Sequence, residues 1–235
     1  MKNQYFGDIN DYRKYGLLRS IQSTCDMKLL VAWMLTPDDG SSDGKFITYL
    51  KEPDKWEQLD PPLYQELNRL LSQNQKREVR LIEESNFFNG CKYYSEYVPD
   101  KASERDVWFS SMLNKSKESD FVFLDPDNGL EIKSITYGRK NSSKFLYWQE
   151  VSALWSSGKS LLIYQHFTRE KREDFIQRML NALSEKTEGS IVEAFSTPHV
   201  LFLMALQPEH HKFHKPIINL VQEKWVDQIK PWDLK

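Results

Sequence analysis

The sequence predicts an α/β fold, a doubly wound and mostly parallel sheet that carries an antiparallel strand pair near its C-terminal end. Three observations carry this expectation. Short apolar segments alternate with segments of helical periodicity all along the chain. Most of the apolar segments are near-continuous rather than alternating, which marks strands covered on both faces, as in a parallel sheet. The last two, within "SIVEAFSTPHVLFLMALQ", are separated only by about "STPH". No crossover helix fits there, so these two strands are antiparallel neighbours.

The strands are expected at Leu29–Leu35, Val79–Glu83, Phe121–Leu124, Ser160–Tyr164, Ser190–Phe195 and Val200–Leu206. Between them lie amphipathic stretches. "DPPLYQELNRLLSQ" places Leu63, Leu67, Leu70 and Leu71 on one helical face, and "REDFIQRMLNALSEK" does the same with Phe175, Ile176, Met179, Leu180 and Leu183. "ERDVWFSSMLNK" is a third helix and "NLVQEKWVDQIK" a closing one. No repeat, low-complexity tract or linker interrupts the order, so one domain spanning 1–235 is expected.

The bulk properties narrow the class. Forty percent hydrophobic and 28% charged residues over 235 positions suit an ordinary globular core. A net charge of −2 rules out a basic field over the whole molecule, so DNA or RNA would have to be met by a local basic patch. Cys25 and Cys91 are the only cysteines, too few for a disulfide framework, and a reduced, cytoplasmic protein is expected. No apolar run approaches the ~20 residues that span a bilayer, so no membrane partner is expected.

The most informative stretch is "FVFLDPDNGLE", residues 121–131. Four apolar residues read as a buried strand that stops at Asp125. Pro126 cannot donate to a sheet ladder and ends it, and Asn128-Gly129 permits a sharp exit. In an open α/β sheet ligands sit at the carboxyl ends of the strands. Two acids there, Asp125 and Asp127, are costly unless water, a metal or a ligand meets them.

Four further stretches carry candidate site residues. In "YFGDINDYRKYGLLRSI" a Gly7-Asp8 turn precedes a helix starting near Asn10, with Asp8 as N-cap and with Asp11 and Lys14 around its first turn. Free N–H groups of that turn suit an anion or a cofactor carboxylate, and Tyr5, Phe6, Tyr12 and Tyr15 suit a pocket wall. "LTPDDGSSDGKF" follows the first strand and holds Asp38, Asp39, Gly40, Asp43 and Gly44. It occupies the usual place of a nucleotide cofactor, although it is not G-x-G-x-x-G. In "VRLIEESN", Glu83 or Glu84 ends an expected strand, a position suited to ribose hydroxyls. In "LLIYQHFTREKRED", Gln165 and His166 end another; His166 would act as base or touch substrate, and Arg169, Lys171 and Arg172 would meet phosphates. Each of these also reads as ordinary capping, loop or surface chemistry. His210 and His214 lie one helical turn apart without an evident third ligand, and "SSGKS" has only the tail of a phosphate loop.

Together these residues resemble the Rossmann-like methyltransferases, and in particular the bacterial ribosomal RNA adenine methyltransferases of the RlmJ kind and the partner proteins of three-cysteine-motif systems. The resemblance rests on Phe6-Gly7-Asp8 followed by Asp11, Lys14, Leu17 and Leu18, and on a hydrophobic strand ending in Asp125-Pro126-Asp127-Asn128, where those proteins read D-P-P-[YF]. It implies S-adenosylmethionine over residues 36–44, with Phe6, Gly7, Asp8, Asp11, Asp39 and Gly40 around it and Glu84 near its ribose. It also implies that Asp125 and the Pro126 carbonyl accept hydrogen bonds from a substrate amine, with Asp127, Asn128, Lys14 and His166 close by. Asn128 stands where the family has its stacking aromatic, and Asp127 where it has a second proline. Two other readings remain open. Strand, then D-x-D, then Asn-Gly resembles the nucleophile motif of haloacid-dehalogenase-like phosphatases, and Asp125, Asp127 and Asp8 would then hold Mg²⁺ in a phosphoester hydrolase, either a nuclease or a phosphatase. The third is a non-catalytic Rossmann-like protein that binds a nucleotide or a partner.

Overall fold

The computed structural model describes residues 1–40, 44 and 46–235. Asp43, one of the loop aspartates singled out above, lies outside the described residues.

The chain opens with a single 3₁₀ turn, Asn3–Tyr5, and the helix α1, Ile9–Thr24. Strand β1 is Leu29–Ala32. Short helical turns, among them α2 at Pro53–Trp56, lead to α3, Pro61–Gln73, which has Asp60 as its N-cap. Next come α4, Arg80–Glu84, and β2, Lys92–Tyr94; then α5, Ala102–Lys115, and β3, Phe121–Leu124. Two residues of β4, Gly129–Leu130, pair in parallel with β5, Phe145–Leu146. The remainder is α6 at Trp148–Ser156, β6 at Ser160–His166, α7 at Arg172–Lys186, β7 at Ile191–Ser196, β8 at Val200–Leu206, α8 at His214–Lys224 and β9 at Lys230–Asp233.

Seven strands form one mostly parallel sheet in the order β2-β1-β3-β6-β8-β7-β9. β2, β1, β3 and β6 run parallel. β8 is antiparallel to both β6 and β7, and β9 is antiparallel to β7. The expected hairpin is therefore present: Thr197 N–H donates to Val200 O at 2.8 Å across its turn.

Every residue of β1 and β3 is buried, and the pleat sends alternate side chains to two separate cores. Val31, Phe121, Phe123 and Leu162 join the core under α1, α3 and α8. Leu30, Val122, Leu124, Leu161 and Ile163 join the core under α5, α6 and α7. Both faces being covered is the physical reason that these strands read as unbroken apolar runs. Helix α1 packs against α8. Gly16 leaves room for the Trp225 indole, which would lie 1.8 Å from any Cβ at that position.

Three expectations need correction. Val79–Glu83 is not a strand; Arg80–Glu84 is the helix α4, and the strand beside β1 is Lys92–Tyr94. The apolar residues Val79, Leu81 and Ile82 are too few to separate the two periods, and only Val79 and Ile82 are buried. The closing helix begins earlier than expected, at His214, and stops at Lys224; Lys230–Asp233 adds an edge strand. Leu29–Leu35 forms ladder pairs only to Ala32, beyond which Leu35 makes an isolated parallel bridge to Tyr97.

Candidate functional site

The site is built where β3 ends. Leu124 is paired with Ala32 on one side and Ile163 on the other. The ladder runs one residue further, since Asp125 N–H donates to Ala32 O at 3.0 Å. Pro126 has no N–H to continue it. The chain then turns away: Asn128 N–H donates to Lys144 O at 2.9 Å, and Gly129 enters β4 at φ 109°. A Cβ at Gly129 would lie 2.5 Å from Gln165 Oε1, the atom that accepts from Leu130 N–H at 2.7 Å. Gln165 is thus a structural clamp on the turn.

Helix α1 brings its first turn against this strand end. Lys14 Nζ lies 2.7 Å from Asp125 Oδ2 and 2.6 Å from Asp11 Oδ1, and all three side chains are at most 4% exposed. Burial opposes the Lys14 charge, but the two carboxylates hold the ammonium well above its ordinary pKa. Burial raises the Asp125 pKa, and Lys14 and the Met1 amine work against that rise. Asp11 Oδ2 accepts from Gly7 N–H at 2.9 Å and from the Tyr15 hydroxyl at 3.2 Å. Asp8 caps the helix, accepting from Asn10 and Asp11 N–H. Its carboxyl is pushed up to about 7 by burial and by the neighbouring Asp11.

The first five residues cover the crevice. The Met1 amine donates to Asp125 O at 3.0 Å and to Met34 O at 3.3 Å. Lys2 Nζ reaches Asp39 at 2.7 Å and Asp127 Oδ2 at 3.5 Å. What remains is a cleft of about 40 Å³, lined by Asp8, Asn10, Asp11, Lys14, Asp125 and Asp127 among others. Two of its buried oxygens, Asp127 Oδ1 and Asn10 Oδ1, have no hydrogen-bond partner. The Met1 ammonium lies 3.9 Å from Asp127 Oδ1, an ion pair without a hydrogen bond. Buried acceptors are ordinarily satisfied, so both oxygens could take a donor in the cleft.

The sequence-derived site residues fall in four places. Asp8, Asp11, Lys14, Asp125, Pro126 and Asp127 meet around the cleft. Phe6 is fully buried in the core, and Gly7 turns the chain at φ 75°. Asn128 and His166 stand beside the turn, with His166 N–H donating to Asn128 O at 3.3 Å and its ring edge-on to Tyr164. Asp39 and Gly40 are exposed in the loop after β1, and Asp39 is tied to the site through Lys2.

Other expectations fail on geometry. The first-turn N–H groups of α1 are not free for a cofactor carboxylate: Ile9 N–H donates to Phe46 O, Asn10 and Asp11 N–H to Asp8 Oδ1, and Tyr12 N–H to Asp8 O. Glu84 is not at a strand end; it sits exposed on α4 with Arg80 3.5 Å away. Glu83 instead accepts from Trp33 Nε1 at 2.6 Å. Among the described residues, no group of three or more His, Cys, Asp or Glu side chains is arranged to hold a metal ion. His210 and His214 bond to different strands, His210 to Ser160 and His214 to Glu193. Lys159 of "SSGKS" is buried and donates to Ser119 O at 2.6 Å.

Two lining residues, Tyr164 and Asn10, and the covering Lys2 escaped the sequence reading. Tyr164 precedes His166 by two positions on a strand and so shares its face, a signal that period 2 offers. Asn10 follows the recognised cap by two. Nothing local marks Lys2.

S-adenosylmethionine meets the right charge here but too little room. Buried carboxylates and unpaired acceptors suit its ammonium and sulfonium. Its nucleoside finds no space, because the cleft, with Met1 as part of its lining, is about 40 Å³. The cofactor does not fit while residues 1–2 hold these positions.

No protein-family model and no curated protein matches the chain. Among solved structures it is similar to protein LPL1258 from Legionella pneumophila str. Philadelphia 1, family-model DUF519, at 11% identity over 96% of each chain, with a TM-score of 0.48. Among the described residues, no helix is long and apolar enough to cross a membrane.

Proposed function

We propose that this is a Rossmann-like, methyltransferase-like enzyme that presents the end of β3 to an amine of a nucleotide or nucleic acid. β1 is followed in sequence by β2 on one side, and the chain then crosses to β3 on the other side. The crevice between β1 and β3 is therefore the point where a doubly wound sheet reverses its order, and ligands of open α/β sheets bind at such points.

One observation carries the reading: Asp125 holds an amine already. Lys14 Nζ lies at hydrogen-bond distance from its carboxylate, and the next acid, Asp127, has a buried oxygen with no donor. In the proposed enzyme Asp125 and the Pro126 carbonyl accept hydrogens from the substrate amine and so aim its lone pair. Lys14 favours the carboxylate form of Asp125 against the effect of burial, and Tyr164, whose pKa burial pushes well above its ordinary value, is a neutral wall. Holding a neutral amine in place contributes through orientation more than through proton transfer. S-adenosylmethionine would supply an electrophilic methyl group, with Asp39, Asp127 and the Asn10 side-chain oxygen as partners for its cationic end in place of Met1 and Lys2. Its entry requires Met1 and Lys2 to leave.

The test is transfer of labelled methyl from S-adenosylmethionine to mononucleotides, DNA and RNA. Incorporation that Asp125→Asn abolishes while the protein stays folded supports the proposal. Incorporation at the wild-type level in that variant refutes it.

A further inference from the structure

A second site lies on the adjoining face of α1. Ile9 and Arg13 are one turn apart, and Asn10 and Lys14 follow each by about 100°. Arg13 is 4% exposed, yet no carboxylate lies within ion-pair distance of it among the described residues. Its Nε and Nη2 donate to Gln228 Oε1 at 3.2 and 2.8 Å, and its guanidinium lies 5.5 Å from the Trp56 ring. Nη1 is buried with no partner. A buried guanidinium is normally matched to a carboxylate or a phosphate, because desolvating it alone is costly.

Arg13 lines a pocket of about 230 Å³ together with Phe46, Glu52, Lys55, Trp56 and His199. The pocket is cationic and aromatic. Lys55 is exposed, and Glu52, the acid paired with it among the described residues, is 3.7 Å away and also exposed. The positive charges of Arg13 and Arg172 both act on His199. Phe46 is 68% exposed, an unusual state for a phenylalanine at a pocket rim.

We propose that this pocket binds a nucleotide phosphate, with Arg13 and Lys55 on its oxygens and the base lying on Phe46. Arg13 Nη1 supplies the donor that now lacks an acceptor, Lys55 exchanges Glu52 for the phosphate, and Phe46 offers a ring face for stacking. The site rests on none of the chemistry at Asp125. If the substrate is nucleic acid, it holds the phosphate next to the reacting nucleotide.

The test is calorimetric titration of the full chain with inorganic phosphate, AMP and a short single-stranded oligonucleotide. Saturable phosphate binding is expected, tighter for AMP. Arg13→Met should weaken both at least tenfold and Lys55→Ala several-fold. Phe46→Ala should bring AMP down to the level of phosphate, and Glu52→Gln should tighten both. Lys55 and Phe46 are exposed, so their variants keep the test valid if Arg13→Met does not fold. An oligonucleotide that binds more tightly than AMP identifies nucleic acid as the source of the phosphate; an equal or weaker one identifies a free nucleotide. Absence of saturable phosphate and AMP binding, or unchanged binding in both Arg13→Met and Lys55→Ala, overturns the proposal. Asp125→Asn should leave phosphate binding intact, which separates this site from the reading of Asp125.

Discussion

Lys14 Nζ lies 2.7 Å from Asp125 Oδ2, although the two stand 111 positions apart in the sequence, and both side chains are removed from solvent. This contact ties the first helix to the end of β3. It also sets the charge of the candidate site.

Removing Lys14 leaves Asp11 and Asp125 buried without their cation. Breaking a buried pair from one side typically costs about 3–5 kcal/mol. Lys14→Ala is expected to lose stability on that scale, and Asp125→Asn much less, because Lys14 retains Asp11. Urea unfolding of the two variants checks the order.

Asp8 makes stability depend on pH. Its folded pKa, pushed up to about 7, lies above its ordinary 3.8. The folded state therefore binds the proton more tightly. The stabilisation is fully present below about pH 4 and is lost as pH rises toward 7. Asp125, raised for the same reason, adds with the same sign. Asp8→Asn keeps a good cap residue and should flatten the pH profile. At pH 7.5 it should exceed the wild type by on the order of a few kcal/mol, and near pH 4 the two should converge. Unfolding midpoints across pH 4–8 measure this.

Gly16→Ala should be destabilising despite the better helix propensity of alanine. The new Cβ would fall 1.8 Å from the fully buried Trp225 ring, so α1 and α8 must separate. Overpacking of this kind costs about 1–3 kcal/mol or more, against a propensity gain of about 1. A lowered Tm is the expected result.

On the far side of the sheet, Arg105 and Glu150 form a bidentate buried pair at 2.9 Å, and Arg105 also donates to Ser142 O and Phe145 O. Glu150→Ala should cost about 3–5 kcal/mol, while phosphate affinity measured on the folded fraction should not change.

Sequence and structure agree where one period dominates. Phe121–Leu124 and Val200–Leu206 are apolar throughout and covered on both faces, and α7 carries its five buried residues on one stripe. They part where the apolar run is short or its partner is distant. Arg80–Glu84 has a single buried residue, Ile82, which fixes no period. The strand Lys92–Tyr94 has three residues, and its hydrogen bonds to β1 bridge 62 positions of sequence. The candidate site was legible at Asp125, because an acid, a proline and Asn-Gly after an apolar run are a local signal. Lys14 was legible as a position on a helix, although its pairing with Asp125 is tertiary. Lys2 and the unpaired Arg13 carry no local signal, since what distinguishes them is a neighbour far away in sequence, or the lack of one.

The central claim, that the end of β3 takes the cationic end of S-adenosylmethionine once Met1 and Lys2 release it, is tested most directly by calorimetric titration of that cofactor. The wild type, Lys2→Ala and Asp127→Asn are the proteins to compare. Lys2→Ala removes the contacts at 2.7 and 3.5 Å that hold the cover in place. It should bind about tenfold more tightly than the wild type, or about 1.4 kcal/mol, and Asp127→Asn should bind more weakly. No binding by either the wild type or Lys2→Ala would contradict the account.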